Sequence, residues 1–223
     1  MAIAFVNGNA GYTSSTITSY ATGSFSATAG NCIVVYLYTK GTGATAIEDT
    51  AGNTYNKLGT YSNGRLIEIW LALNITGHAS NIVTATFGSS SGCRIAAAQF
   101  SGVALSSAHD TAFNPAGNLD TTNTFTSTSG NTAVDGELIV CAYHTSGAGP
   151  FTASSPSVLV VQTGDADDDA IIVNLITTAG AGSVSATLGS ADNVYMYSKA
   201  IKPAVAAASI VQLLLRQYRA RRV

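Results

Sequence analysis

Between Leu66 and Leu73 the chain alternates with a period of two. Ile67, Ile69, Leu71 and Leu73 fall on one face of an extended segment, and Leu66, Glu68 and Trp70 on the other. A helix would scatter these residues around its axis, whereas a strand sorts them into two faces. Asn63-Gly64 stands just before the run and supplies the positive-φ residues that a tight hairpin turn needs. Similar runs recur at 32–38, 53–61, 82–87, 94–100, 138–144, 158–162, 170–176, 184–188 and 194–201, separated by Gly, Asn, Ser and Asp. No segment of the body carries a 3.6-residue stripe. With 46% hydrophobic and only 10% charged residues, the chain is too apolar to be disordered and too poor in Glu, Lys and Arg for a coiled coil. The pattern predicts an all-β body.

The chain also resembles itself. Asn31-Cys32-Ile33-Val34-Val35-Tyr36-Leu37-Tyr38-Thr39 aligns with Glu137-Leu138-Ile139-Val140-Cys141-Ala142-Tyr143-His144-Thr145, and Val83-Thr84-Ala85-Thr86-Phe87-Gly88 with Val184-Ser185-Ala186-Thr187-Leu188-Gly189. Two copies at so long a spacing do not make a solenoid. They predict two similar halves, about 1–108 and 109–204, each contributing a sheet that buries its apolar face against the other. The expected fold over 1–204 is an antiparallel β-sandwich of jelly-roll type with a pseudo-twofold internal repeat.

Residues 205–223 differ in kind. Of the ten basic residues, Arg216, Arg219, Arg221 and Arg222 lie here, so the body keeps six basic against twelve acidic residues and is six charges negative. Ile210, Leu214 and Gln217, like Val211, Leu215 and Tyr218, recur at helical spacing, and cations gather at the end that the helix dipole favours. The segment predicts a short helix, marginal alone. Ile210, Val211, Leu213, Leu214 and Leu215 form its apolar part, and Arg216, Tyr218, Arg219, Arg221 and Arg222 complete an expected assembly tail. The overall charge of −2 gives no field for nucleic acid. The first residues lack the cationic and apolar regions of a signal peptide, and no apolar run is long enough for a membrane span. Cys32, Cys93 and Cys141 each sit inside an apolar run and read as core residues of a chain made in a reducing cytoplasm.

Several constellations invite a chemical reading. Gly88-Ser89-Ser90-Ser91-Gly92 matches the nucleophile-elbow pattern, but the elbow needs a strand-to-helix turn, and here the motif reads as a hairpin loop between two strands. A hydrolase built on Ser90 is therefore not expected. His78, His109 and His144 share no metal-ligand spacing and read as loop or rim residues. Asp165, Asp167 and Asp169 imitate the start of a Ca²⁺ loop, yet Ala170 and Ile176 stand where that loop needs Gly and Glu. A solvated turn is the stronger reading of this stretch. Trp70 with Tyr12, Tyr20, Tyr36, Tyr38, Tyr55 and Tyr61 suggests either a sugar-stacking platform or, more simply, core packing. No cofactor is implied.

Taken in order, Asp49-Thr50-Ala51-Gly52-Asn53-Thr54-Tyr55, Ile69-Trp70-Leu71-Ala72-Leu73-Asn74, Asn81-Ile82-Val83-Thr84-Ala85-Thr86-Phe87, Ala98-Gln99-Phe100-Ser101-Gly102, Gly136-Glu137-Leu138-Ile139-Val140 and Ala200-Ile201-Lys202-Pro203 resemble a β-sandwich domain recurrent in tailed-phage structural proteins and bacterial surface proteins. The resemblance covers nearly all of 1–204 and implies a non-enzymatic structural or adhesive module. The expected function is that of a virion structural protein made in the host cytoplasm, either a capsid decoration (cement) protein or a head or tail fibre component. Its expected partners are other virion proteins and copies of itself, with a host surface glycan as a further candidate. The alternative is a bacterial cell-surface carbohydrate-binding or adhesin domain. The Arg-rich tail lies outside the family pattern.

Overall fold

The computed structural model describes residues 2–147, 149–164, 169–176 and 178–204, without the side chains of Ser90, Ser91 and Ile172. The expected C-terminal helix falls in 205–223, outside the described residues. The first half contributes β1 (Ala4–Ala21), β2 (Phe25–Ala27), β3 (Cys32–Thr39), β4 (Ala44–Asp49), β5 (Asn56–Ser62), β6 (Leu66–Ala72), β7 (His78–Asn81) and β8 (Val83–Ser101). The second contributes β9 (Asn118–Asp120), β10 (Thr124–Thr126), β11 (Gly130–Asn131), β12 (Glu137–Thr145), β13 (Thr152–Ala153), β14 (Val158–Gln162), β15 (Asp169–Ile176), β16 (Ala181–Gly182), β17 (Ser185–Thr187) and β18 (Val194–Ile201). The described body is all-β and its sheets are antiparallel.

The larger sheet has the order β1-β8-β3-β6-β5, with β4 also on β8, and the second has the order β14-β15-β12-β18-β9. In both, the last long strand of the half lies beside the central strand, which lies beside the long strand of a hairpin. Asn63 and Gly64, the latter at φ 69°, make the turn between β5 and β6.

Period two decides where the core sits. On β3, Val34, Tyr36 and Tyr38 enter a cluster that also takes Leu138, Val140 and Ala142 of β12, so this cluster draws on both halves. The opposite face of β3, with Ile33, Val35 and Leu37, enters a second cluster made only of first-half residues. The opposite face of β12, with Ile139, Cys141 and Tyr143, enters a third made only of second-half residues, among them Phe113, Phe125 and Phe151. Both central strands are therefore buried at every residue. The two outer clusters were not anticipated from the sequence. They are closed by curled sheet in the first half and by the small β10-β17-β13 sheet in the second.

The curl corrects one expectation. Gly88–Gly92 is not a hairpin loop, because β8 runs unbroken through it. The first part of β8 pairs with β4 and the second with β3, while β1 follows both. Val83, Ala85 and Phe87 face the same cluster as Cys93, Ile95 and Ala97, all on one face of the strand by period two. The strand bends between them, where the β1 register shifts between Thr13 and Thr16 and again between Ile17 and Ser19. Gly92, at φ 107°, supplies a conformation that L-residues rarely adopt. Small residues are needed for that bend, and the match to an elbow motif follows from their composition.

All three cysteines are free and buried, and burial pushes their thiols up to about 12. The segment joining the halves runs along the end of β18, with Val103 opposite Pro203 and His109 opposite Ile201.

Separating the halves strips the central cluster from both sheets. Each fully buried aliphatic or aromatic side chain is worth about 1.5–3 kcal/mol, and that cluster holds twenty-one buried residues. Residues 1–108 and 109–204 expressed separately are expected to give no soluble monomer with a sharp melting transition, checked by circular dichroism and size-exclusion chromatography. Two well-folded halves would show that the outer clusters suffice.

Candidate functional site

The densest polar group of the body lies where the two sheets meet. Tyr36 and Tyr38 come from β3, Arg94 from β8, His144 from β12, and Asp169 opens β15. Register brings them together, with Tyr38 opposite Arg94 and His144 opposite Asp169. All five are at most 3% exposed. The Tyr36 hydroxyl donates to Asp169 Oδ1, and His144 Nδ1 lies 3.0 Å from the same oxygen. Arg94 Nε stands 3.5 Å from Oδ2, an ion-pair distance. The backbone N–H of Asp169 donates to Thr163 Oγ1 at 3.0 Å. Tyr38 stacks on the His144 ring at 3.6 Å, and its hydroxyl accepts from Arg65 at 2.6 Å.

Burial pushes the Asp169 carboxyl above the usual carboxylate range, and His144, Tyr36 and Arg94 hold it back. Burial, reinforced by Asp169, raises the Tyr36 hydroxyl far above its ordinary value and keeps it a neutral donor. A carboxylate on a histidine is the arrangement that orients a general base. Here, however, the imidazole lies under the Tyr38 ring and is 1% exposed. What the geometry does achieve is a hydrogen-bonded tie between side chains of the two halves.

Two expectations are corrected. His144 is not a loop or rim residue: it sits within β12, where only a partner from another strand makes its burial tolerable. Asp169 is not on a solvated turn: it is fully buried, because Tyr36, His144 and Arg94 converge on it from distant sequence. Asp165 and Asp167 lie outside the described residues. Among the described residues no group of three His, Cys, Asp or Glu side chains is placed to hold a metal. His78 is exposed, and His109 is partly buried within the segment joining the halves.

A second buried group pairs carboxyls. Glu137 Oε1 accepts from the N–H groups of Ala133 and Val134 at 3.1 and 2.9 Å, and Asp110 Oδ2 accepts from Ala133 at 3.0 Å. Burial pushes the Glu137 carboxyl up, the Val134 N–H pulls it down, and neighbouring Asp110 pushes it up again; the net direction is upward. Lys202 Nζ lies 3.9 Å from Asp110 on the other side.

The remaining carboxylates hold loops. Burial raises the Asp49 carboxyl, but hydrogen bonds from Asn53, Asn81 and Tyr55 outweigh it and leave it below its usual range. Glu68 receives Lys57 Nζ at 2.5 Å, Trp70 Nε1 at 3.0 Å and the Ala44 N–H at 3.1 Å. Trp70, Tyr36, Tyr38 and Tyr55 are all core residues, so they form no open stacking platform. Tyr12 stays 47% exposed. With Tyr20, Asn9, Gln162 and Thr163 it lines a shallow cleft of about 340 Å³.

An apolar groove of about 230 Å³ opens between the sheets where β1 and β14 begin. Its floor includes Ile3, Phe100, Leu138 and Val173, and its rim includes Phe5, Val158 and Leu175, which are 41%, 57% and 38% exposed. Nothing in the alternation of these strands singled the groove out, because it forms from the ends of five different strands and the chain's first residues. Among the described residues no helix is long and apolar enough to cross a membrane. Comparison with family models, with curated proteins and with solved structures gives no match.

Two outcomes follow from the buried groups. Asp169→Ala removes the acceptor shared by Tyr36 and His144 from an enclosed place and is expected to cost about 3 kcal/mol of unfolding free energy, measured by urea denaturation. Glu137 binds its proton more tightly in the folded chain than in the unfolded one. Its contribution is therefore full below the ordinary glutamate value of 4.5 and is lost as pH rises through the raised folded value. Glu137→Gln is expected to flatten that decline in a pH series of denaturation curves and to leave the acid limb unchanged.

Proposed function

We propose that this chain is a non-enzymatic structural component of a tailed-phage virion, a capsid decoration protein or a head or tail fibre component. Its body is read as a jelly-roll-type sandwich built from two similar halves. The observation that carries the reading is how the polar side chains are used. Asp49, Glu68, Asp110, Glu137 and Asp169 are each engaged in holding a loop, a strand or the two halves together, which suits a body that must be rigid. The corresponding strand order of the two sheets, laid over the sequence repeat, supports the pseudo-twofold description. The tail brings four arginines to a body six charges negative, and charge complementarity of that kind suits packing among copies or against an acidic neighbour.

Mass spectrometry and cryo-electron microscopy of purified particles test this reading directly: the chain is expected as a stoichiometric component at defined positions. Replacing Arg216, Arg219, Arg221 and Arg222 together by Gln is expected to leave the melting transition of the body unchanged. The same change is expected to lower occupancy on particles at least tenfold at low salt, since contacts between exposed charges are screened.

One observation favours the second reading, a cell-surface carbohydrate-binding or adhesin domain. The cleft at Tyr12 combines an exposed ring with the amide of Gln162, a combination suited to stacking and hydrogen bonding a sugar. Glycan-array binding abolished by Tyr12→Ala would favour it.

A further inference from the structure

We infer that the apolar groove between the sheets is the seat of this chain's own C-terminal segment, residues 210–215. The inference does not depend on the virion reading and concerns where the apolar part of the tail goes. The described chain ends beside the segment that leads into the groove. Ala204 donates its N–H to the Gly102 carbonyl at 2.7 Å, and Pro203 pairs with Val103. Gly102, at φ 73°, is packed so closely that a Cβ there would stand 2.3 Å from the Ala2 carbonyl oxygen and 3.3 Å from Ile3 Cα. The last described residue thus lies against the segment that leads into Ile3 and Phe5, two residues of the groove.

Direction matters as much as position. Residues 202–204 run antiparallel to 104–102, which aims the chain toward Phe100. It cannot continue there as a ladder strand, because both edges of β8 at Phe100 are occupied, by Phe5 and by Cys32. Phe100, where both ladder edges are taken, is also part of the groove. From Ala204 to Ile210 is six residues, a reach of at most about 20 Å. The run Val205-Ala206-Ala207-Ala208-Ser209 carries no charge or bulk to oppose a close approach.

The chemistry of the two surfaces agrees. The groove is lined by aliphatic and aromatic side chains with Asn174 as its one amide. Residues 210–215 offer Ile210, Val211, Leu213, Leu214 and Leu215. Phe5, Val158 and Leu175 on the rim are then covered, and Arg216, Arg219, Arg221 and Arg222 are left outside, free for the charged contact described above. A tethered segment meets its own groove at an effective concentration in the millimolar range, which favours the chain's own tail over that of a second copy.

Disulfide trapping in the full chain tests this. Val158→Cys is an exposed rim position, Leu214→Cys lies in the segment, and the three native cysteines are buried and do not compete. Under mild oxidation the double variant is expected to form a 158–214 disulfide within the monomer, seen on non-reducing gels and by peptide mapping. Its yield should be at least tenfold that of a control pair, Leu119→Cys with Leu214→Cys, since Leu119 lies opposite Tyr195, at the far end of β18. Adding Leu175→Asp to the trapping pair is expected to reduce the yield to the control level. A yield no higher than the control, or disulfides found only between chains, would overturn the proposal.

Discussion

The structure depends on the burial of both faces of its two central strands. β3 and β12 have no residue open to solvent, so each sheet must find cover on two sides. Between them they share one cluster, and behind each lies another. That demand explains the curl of the first sheet, since β8 has to serve both walls of the outer cluster. It also explains the glycine- and serine-rich bend at Gly88–Gly92, because only small residues let a paired strand change direction without losing its ladder.

A body held mainly by non-directional apolar contact gains its register from polar groups. The Asp169 cluster does this between the halves: a buried carboxyl needs polar partners, and here Tyr36 of β3 and His144 of β12 meet one oxygen while Arg94 of β8 stands 3.5 Å from the other. Sliding either sheet by one residue would remove Tyr36 and Arg94 from reach and leave the carboxyl with His144 of its own sheet. Asp49 and Glu68 act more locally, fixing the loops around the first outer cluster. The Asp110 and Glu137 pair lies where the linker enters the second half, and burial, which raises the Glu137 carboxyl, makes that junction sensitive to pH.

The edges of the molecule are treated differently from one another. β1 is long, polar and largely exposed, with Gly, Ser and Thr where a buried strand would carry Val and Ile, and its register shifts discourage another chain from pairing along it. At its start the character changes abruptly to Ile3, Phe5 and the apolar groove. An edge of this kind leaves one concentrated apolar spot on an otherwise polar rim, which is the pattern expected of a contact site.

The strand class of the body was legible in the sequence, because period two along Leu66–Leu73 and the continuous apolar runs at Cys32 and Leu138 leave no helical alternative. The burial of Trp70 and the cysteines followed from the same pattern. β1 escaped notice since an exposed edge strand need not be apolar, and the outer clusters escaped because periodicity tells which faces are buried but not how many layers cover them. The chain by itself determined which residues are extended and which of them face inward. Only the tertiary structure decided that His144 and Asp169 are buried partners rather than surface residues, and that five strand ends meet as a groove. Both are meetings of residues far apart in sequence, and register between strands, which local preference does not encode, is what brings them together.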